Sequence, residues 1–413
     1  MKILRKIIFL VAMVLTLASC DRNNYDGGIT IRGKILSQTK LKNAVSNSVG
    51  LRSGSLLTLS DAKKVLSFSK YSYDLTDIVD GAFSAPAKIG SGVALIFLDA
   101  NNQYIGNLSA GGLKLLPLCN LSDGENTTID LSTLTLEGTN VIPSHDPFGK
   151  EILISDEAIK SLQAVGGYFE CIANNIDGDK DGQPDVLTNQ HVVINTNYVF
   201  NCGYCGLNDI KPVLVDSAHM ELHYFLEVFG GKDIPFNGNI TLSGPIDDPY
   251  TDIHTQGFMK NEFSGNYGFL SSILRYTEQG TNPPFKKGTY TMTIEDKIYT
   301  LEYSNIDAYQ NLVIATPTIH TNTEGKMTSI TFNYFYPDGR EMTDPSNIIT
   351  SVSGQFCKDG GAEICPMLRM KASTGFLEYK PESPVDISSL HHLNIGYDDL
   401  LGNTYGCIFH MVE

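Results

Sequence analysis

Lys287 to Tyr303 reads KGTYTMTIEDKIYTLEY, two runs of alternating polar and apolar side chains joined at Glu295-Asp296-Lys297. Successive side chains of a strand point to opposite faces, so a period of two predicts two half-buried strands, and the short charged join predicts a hairpin. The same rhythm recurs outward from this point. Met327 to Pro337 and Gly375 to Tyr379 share it, and β patterning runs back to Val192. Nearer the N-terminus, Ile29 to Ile35 (ITIRGKI), Val65 to Leu75, Gly92 to Leu98 and Tyr104 to Leu108 read as strands. The chain carries 20 Tyr, 19 Phe and 38 Gly, with few runs of strong helix formers, which favours sheet. Many short strands between Gly, Asn and Asp turns predict a mainly β chain built of tandem sandwich domains. One segment breaks the pattern. Ser155 is a credible N-cap, Asp156 and Glu157 fill a first turn, and Ile159, Leu162, Val165, Phe169 and Ile172 come after it at helical spacing. A helix is therefore expected over 155–173, weakened by Gly166-Gly167.

The N-terminus carries a different message. Lys2, Arg5 and Lys6 precede an almost unbroken apolar run, Ile7 to Leu17, which is too short to span a bilayer comfortably. Leu17-Ala18-Ser19-Cys20 resembles the lipobox of bacterial lipoproteins. The resemblance implies cleavage of residues 1–19, acylation of Cys20 (diacylglycerol and palmitate-type chains), and tethering through residues 20–28. Several acyl chains on one residue satisfy the multi-chain requirement for stable anchoring. The expected location is the cell envelope, on the outer membrane in preference to the inner.

Composition excludes some functions. The formal charge of −16 over 413 residues, with no basic cluster, argues against nucleic-acid binding, which depends on Lys and Arg neutralising phosphates. Trp is absent, which lowers the expectation of glycan stacking surfaces, although Tyr is plentiful. The eight cysteines become an odd set once Cys20 is acylated. Cys357 and Cys365 flank the turn Lys358-Asp359-Gly360-Gly361 and are expected to form a hairpin disulfide, while Cys119 and Cys171 sit in apolar settings that suit small core residues.

Residues 29 to 187 resemble a family of uncharacterised envelope lipoproteins carrying a transthyretin-like or carboxypeptidase-regulatory-like β-domain. The resemblance rests on Gly92-Val93-Ala94-Leu95-Ile96-Phe97-Leu98-Asp99, Asn101 to Gly106, Leu115-Leu116-Pro117-Leu118, Ile129 to Leu134, Pro143-Ser144, Pro147-Phe148-Gly149 and Gly167-Tyr168-Phe169. It implies a non-catalytic β-module and says little about function. The expected organisation is then a β-domain over 29–150, a helix with an acidic loop over 151–190, and Ig-like or transthyretin-like sandwiches over 191–310 and 311–413.

Three motifs bear on chemistry. Asp177-Gly178-Asp179-Lys180-Asp181-Gly182-Gln183-Pro184-Asp185 resembles the calcium loops of EF-hand, dockerin and thrombospondin type 3 proteins. Carboxylates on alternate residues of a tight loop supply the hard oxygens that Ca²⁺ takes, Gly182 supplies the sharp turn, and Gln183 offers its backbone carbonyl. The twelfth position holds Thr188 instead of a bidentate Glu, so the loop is read as an isolated structural site with Asp177, Asp179, Asp181, Gln183 and Asp185 as ligands. His219-Met220-Glu221-Leu222-His223 is not the zincin spacing. On a helix its two His share a face one turn apart; on a strand His219, Glu221 and His223 share a face. Either form is a candidate metal cluster lacking its remaining ligands. Cys202-Gly203-Tyr204-Cys205 is a C-x-x-C among β-like segments, where a structural role outweighs a redox one.

Together these features describe a lipid-anchored envelope lipoprotein with one structural Ca²⁺ and no enzymatic activity, acting in binding or envelope architecture. A metal-dependent or redox enzyme built on His219/His223 or Cys202/Cys205 is the alternative. A further alternative is a lipoprotein that captures glycans or proteins within an uptake complex. Replacing the acylated thiol separates anchoring from simple export. Cys20→Ala is expected to move the protein from the membrane fraction to the soluble fraction and to abolish lipid labelling, with unchanged labelling counting against the anchor.

Overall fold

The computed structural model describes residues 28–36, 57–69, 72–88, 92–118, 120–122, 127–164, 175–188, 191–205, 220–229, 240–245, 258–260, 267–269, 275–276, 288–294, 296–303, 314–336, 340–342, 345, 349–358, 368–370, 376–399 and 404–411. Among these residues the chain is mainly β, as the alternation predicts. Cys20, Cys119, Cys171, His219 and Cys365 lie outside the described residues.

The first nine strands form one sheet. They are β1 (Gly28–Ile35), β2 (Lys64–Ser69), β3 (Ser72–Asp77), β4 (Ala82–Lys88), β5 (Gly92–Leu98), β6 (Tyr104–Leu108), β7 (Leu116–Pro117), β8 (Thr128–Glu137) and β9 (Asn140–Pro143). Their order is β3-β2-β5-β6-β9-β8-β1-β4, with β7 paired to β5. Most neighbours are antiparallel, but β1 runs parallel to β8 and β6 parallel to β9. The sheet curls until its two ends meet, and Ser67 on β2 donates a hydrogen bond to the Pro86 carbonyl on β4 at 2.9 Å. Sequence pattern explains position. The unbroken apolar run of β5 is buried along its whole length, as a strand covered on both faces must be. In β1 the alternating ITIRGKI leaves Ile29, Ile31 and Ile35 inside and Arg32 and Lys34 in solvent.

Two helical pieces come next, α1 (Asp156–Ala164) and α2 (Asp185–Thr188). Ser155 caps α1 as its sequence predicts, its Oγ accepting the Ala158 N–H at 3.1 Å. Ala158 and Leu162 face the core of the first sheet. Residues 165–174, where the expected helix continues, lie outside the described residues.

The remaining strands are β10 (His191–Cys205), β11 (Met220–Phe229), β12 (Ile240–Ser243), β13 (Phe258–Lys260), β14 (Tyr267–Phe269), β15 (Arg275–Tyr276), β16 (Gly288–Ile294), β17 (Lys297–Tyr303), β18 (Ile314–Thr321), β19 (Met327–Phe335), β20 (Glu341–Met342), β21 (Ile349–Cys357), β22 (Leu368–Met370), β23 (Glu378–Tyr379), β24 (His392–Asp399) and β25 (Thr404–Met411). The predicted hairpin is β16-β17, in register from Gly288↔Tyr303 to Ile294↔Lys297. Its apolar set, Tyr290, Met292, Tyr299 and Leu301, is buried, while Thr289 and Thr291 are exposed. β12 extends this hairpin to three strands, and β18, β19, β20 and β23 form a separate small sheet.

A second nine-stranded sheet has the order β13-β14-β11-β10-β25-β24-β21-β22, with β15 on β11. Here β10 and β25, from opposite ends of the C-terminal half, are hydrogen-bonded parallel neighbours. Strands from the expected segments 191–310 and 311–413 are thus brought together in one large sheet. Parallel pairing needs a long crossover, so a partner far away in sequence is the natural consequence. No described helix is long and apolar enough to cross a membrane.

The core of the first sheet sets a stability expectation. Phe97 is fully buried and meets Phe83 edge-on, with ring centroids 5.7 Å apart and planes at 77°. Phe97→Ala should cost about 3–5 kcal/mol, because the lost burial adds to the cavity left behind. Leu75→Ala, on the exposed strand β3, should cost under about 1 kcal/mol. Urea denaturation midpoints of the two variants check the contrast.

Candidate metal centre

The segment 175–188 leads out of the first sheet toward strand β10. Its flanks, Ile176 and Val186, are buried in the core of the first sheet, which holds the loop between them as a tight protrusion. Alternating aspartates shape it, because Asp side chains readily cap backbone N–H groups a few residues away. Asp177 Oδ2 accepts the Gly182 N–H at 2.9 Å, Asp181 Oδ1 accepts the Gln183 N–H at 2.8 Å, and Asp185 Oδ2 accepts the Gly178 N–H at 2.9 Å. Gly182 has φ +89°, in the left-handed region, and a Cβ there would lie 2.5 Å from Gln103 Oε1. The left-handed φ is what requires the glycine, since the Gln103 amide is the movable end of a side chain.

The loop is also stitched to two strands. The Tyr104 N–H of β6 donates to the Gly182 carbonyl at 3.3 Å, and the Thr300 N–H of β17 donates to the Gly178 carbonyl at 2.9 Å. Asn175 acts as a side-chain substitute for a strand partner. Its Nδ2 donates to the Glu302 carbonyl at 2.9 Å and its Oδ1 accepts the Glu302 N–H at 2.6 Å. These bonds tie the first sheet to the β16-β17 hairpin through the loop.

At its centre, Asp177, Asp179 and Asp185 each place a carboxylate oxygen within 4.8 Å of the others. Asp177 is 3% exposed and Asp185 0%, and Oδ1 of each is buried without a hydrogen-bond partner. The Tyr299 hydroxyl is a third buried polar group with no partner. Burial pushes the Asp185 carboxyl up to about 8; the Gly178 N–H opposes this, and the charges of Asp179 and Asp177 add to it. Burial likewise raises Asp177, against the Gly182 N–H, with Asp181 and Asp179 adding repulsion. Burial and the nearby carboxylates also raise Tyr299 above the usual phenol range. Lys297 faces this group, its Nζ half exposed and 3.4 Å from Asp179 Oδ2, and the Lys180 charge also acts on Asp177. Buried carboxylate oxygens without donors are costly unless a cation replaces the lost water. The donors are hard oxygens on a compact loop, which suits Ca²⁺ and not a thiophilic metal.

The expected ligand set is brought together in part. Asp177, Asp179 and Asp185 converge; Asp181 is exposed, and its carboxylate caps Gln183. Asp185, ninth in the motif, sits deepest. Sequence reading missed Tyr299, Lys297 and Asn175. The only signal for the first two was their place in the strand KIYTLEY, which carries no hint of what that strand faces.

The other candidate sites take these places. Glu221 and His223 lie in strand β11, paired with Val199 and Asn197 of β10, so the helical alternative for HMELH is set aside. Cys202 and Cys205 lie at the end of strand β10, where the register against β25 shifts between Asn201 and Tyr204, and not at a helix N-terminus. For these four residues the structure describes the backbone alone. Cys357 is buried at the end of β21, and its expected partner Cys365 lies outside the described residues.

A carboxyl raised to about 8 in the folded chain and ionising near 3.9 when unfolded gives a definite sign. Between these values the folded state holds the extra proton, so stability of the metal-free protein is greatest at the acid end and falls as pH rises through the window. Calorimetry in chelator should show the melting temperature dropping from pH 5 to pH 8. Asp185→Asn should flatten that slope, and excess Ca²⁺, which binds the ionised form, should oppose it. A wild-type protein with no such slope would contradict the burial of this charge.

No family model matches the chain, and no curated protein matches it. Among solved structures it is similar to a tetra-tandem repeat in the extending region of a large adhesion protein, at 10% identity and a TM-score of 0.16, covering 93% of this chain and 74% of that one. It is also similar to the yeast delta-COP-I mu-homology domain complexed with a WxWxV peptide, at 10% identity and a TM-score of 0.19, covering 54% of this chain and 96% of that one. At these scores neither likeness defines a fold or a function for the chain.

Proposed function

We propose that the protein is a non-enzymatic envelope lipoprotein, anchored through Cys20, in which a structural Ca²⁺ on Asp177, Asp179 and Asp185 fastens its N-terminal β-domain to the β-structure beyond. In this reading the sheets are sandwich-type modules extending from the membrane, and their relative placement is what the ion secures. One observation carries the calcium reading. Two buried carboxylates, Asp177 and Asp185, each leave one oxygen without a donor, beside Asp179, in a loop hydrogen-bonded to both β6 and β17. Calcium bound there supplies the positive charge that burial withholds, and the strands on either side are held by the same peptide groups that shape the loop. The reading is architectural because the same loop that gathers these carboxylates is hydrogen-bonded through Gly182 to β6 and through Gly178 to β17.

An ion that binds only the folded loop stabilises it by RT ln(1 + [Ca²⁺]/Kd), about 2.7 kcal/mol at a hundredfold excess. An affinity on the order of 10⁻⁴ M suits an extracellular structural site. Chelation should therefore lower the melting temperature and open the 175–188 loop to protease. Asp179→Ala should abolish the response to calcium, whereas Asp181→Ala, at the exposed carboxylate, should keep most of it. If the wild-type protein melts identically in calcium and in chelator, the loop is an acidic turn and the reading fails.

A further inference from the structure

The loop does not enclose its carboxylates alone. It runs along the edge of β17 that is not paired to β16, through the bonds of Gly178 to Thr300 and of Asn175 to Glu302. This strand comes from far along the chain, with 118 positions between Asp179 and Lys297. Successive side chains of a strand alternate between its faces, so Lys297, Tyr299 and Leu301 share one face and Ile298 the other. Exposure follows the alternation, since Tyr299 and Leu301 are buried while Ile298 is 58% exposed. The face of Lys297 and Tyr299 is the one that meets the loop. Lys297, at the hairpin end, reaches Asp179, and the Tyr299 ring packs on Gly178. A Cβ on Gly178 would come 3.0 Å from Asp185 Oδ2 and 3.3 Å from Tyr299 Cδ1, so the ring and the deepest carboxylate are neighbours across one backbone.

Packing accounts for the Tyr299 ring but not for its hydroxyl. The residue is 0% exposed, and the hydroxyl has no hydrogen-bond partner among the described residues. Comparably buried tyrosines differ in this respect. Tyr290 donates to the Pro245 carbonyl at 3.1 Å and Tyr334 to the Phe376 carbonyl at 2.7 Å. A buried hydroxyl without a partner is costly, and phenylalanine would fill the same space without that cost. The charges of Asp185, Asp179 and Asp181 all act on the Tyr299 hydroxyl, so it points toward the carboxylates. Calcium takes about six to eight oxygens. Asp177 and Asp185 each commit one oxygen to a loop N–H, and three aspartates with one oxygen apiece fall short of that number. An ion held here keeps water among its ligands, and a phenol hydroxyl can accept from such a water and donate to a carboxylate.

Resting on the calcium reading of the loop, we propose that Tyr299 belongs to the cation site: its hydroxyl hydrogen-bonds a water held by the ion, so loop and hairpin bind the ion jointly. Calcium affinity then depends on the hairpin being docked, and by reciprocity bound calcium holds the hairpin in place.

The test compares the full-length protein with its Tyr299→Phe and Tyr290→Phe variants, by calorimetric Ca²⁺ titration and by melting in chelator. The wild-type protein should bind one Ca²⁺ per chain. Tyr299→Phe keeps the ring and removes only the hydroxyl, so its affinity should fall on the order of tenfold, at the low end of the effect of losing an outer-shell partner. Its melting temperature in chelator should hold or rise, because the unpartnered hydroxyl is gone. Tyr290→Phe should do the reverse, melting lower in chelator through loss of the bond to Pro245 while binding calcium as the wild type does. Terbium, which occupies calcium sites and is sensitised by neighbouring tyrosine rings, reports proximity, since the chain has no Trp. At saturation its emission should fall in Tyr299→Phe and persist in Tyr290→Phe. Wild-type calcium affinity or undiminished terbium emission in Tyr299→Phe overturns the role of Tyr299 and leaves the calcium reading standing. Equal loss of affinity in both variants overturns it as well, as an indirect effect of hairpin packing. A wild-type protein that binds no calcium overturns both.

Discussion

The packing of the N-terminal half against the β16-β17 hairpin turns on two carboxylates buried where water cannot reach them. Asp177 and Asp185 use one oxygen each to close the loop on its own backbone and leave the other without a donor. The closure and the burial cannot be separated. Gly178, whose N–H holds Asp185, is also the point where a Cβ would come within 3.0 Å of the Asp185 carboxylate and 3.3 Å of the Tyr299 ring. Its carbonyl takes the Thr300 N–H, so the geometry that orients the aspartate also fixes the neighbouring strand. A carboxylate held this tightly in low dielectric keeps its proton or finds a cation.

The sheets give this joint something rigid to join. The first sheet curls around one core, with β3 and β4 as its end strands. The second large sheet is assembled from segments on both sides of the hairpin, with β10 and β25 at its middle. Entropy of closing such long loops rises only slowly with their length, so the pairing is tolerated once the apolar faces are covered. Its cost is kinetic, since strands this far apart in sequence must meet before the sheet is complete.

Two polar clusters are gathered in different ways by this architecture. Oxygen donors converge in a loop whose shape is set by residues within nine positions of one another, from Asp177 to Asp185. The rings of His391, His392 and His410 are neighbours because the register between β24 and β25 brings them together. The first arrangement is local and the second is not, and that difference decides which could be read from the chain.

Local signals were legible. The alternation in KGTYTMTIEDKIYTLEY determined the β16-β17 hairpin and which of its side chains go inside, because strand period and burial are properties of neighbouring residues. The continuous run GVALIFL marked a strand buried on both faces, Ser155 marked a helix start, and the spaced aspartates marked an oxygen-rich turn. Three things needed the tertiary structure. The exposure of Asp181 against the burial of Asp185 depends on which side of the loop meets Tyr299, and the motif treats all its aspartates alike. The joining of 191–205 to 404–411 in one sheet depends on pairing that no composition shift announces. The meeting of His391, His392 and His410 depends on the register between β24 and β25, where a slip of one residue would turn His410 to the opposite face. The sequence by itself determined periods, caps and turn chemistry, which act over a few residues; the structure alone decided the contacts set by register and burial between distant strands.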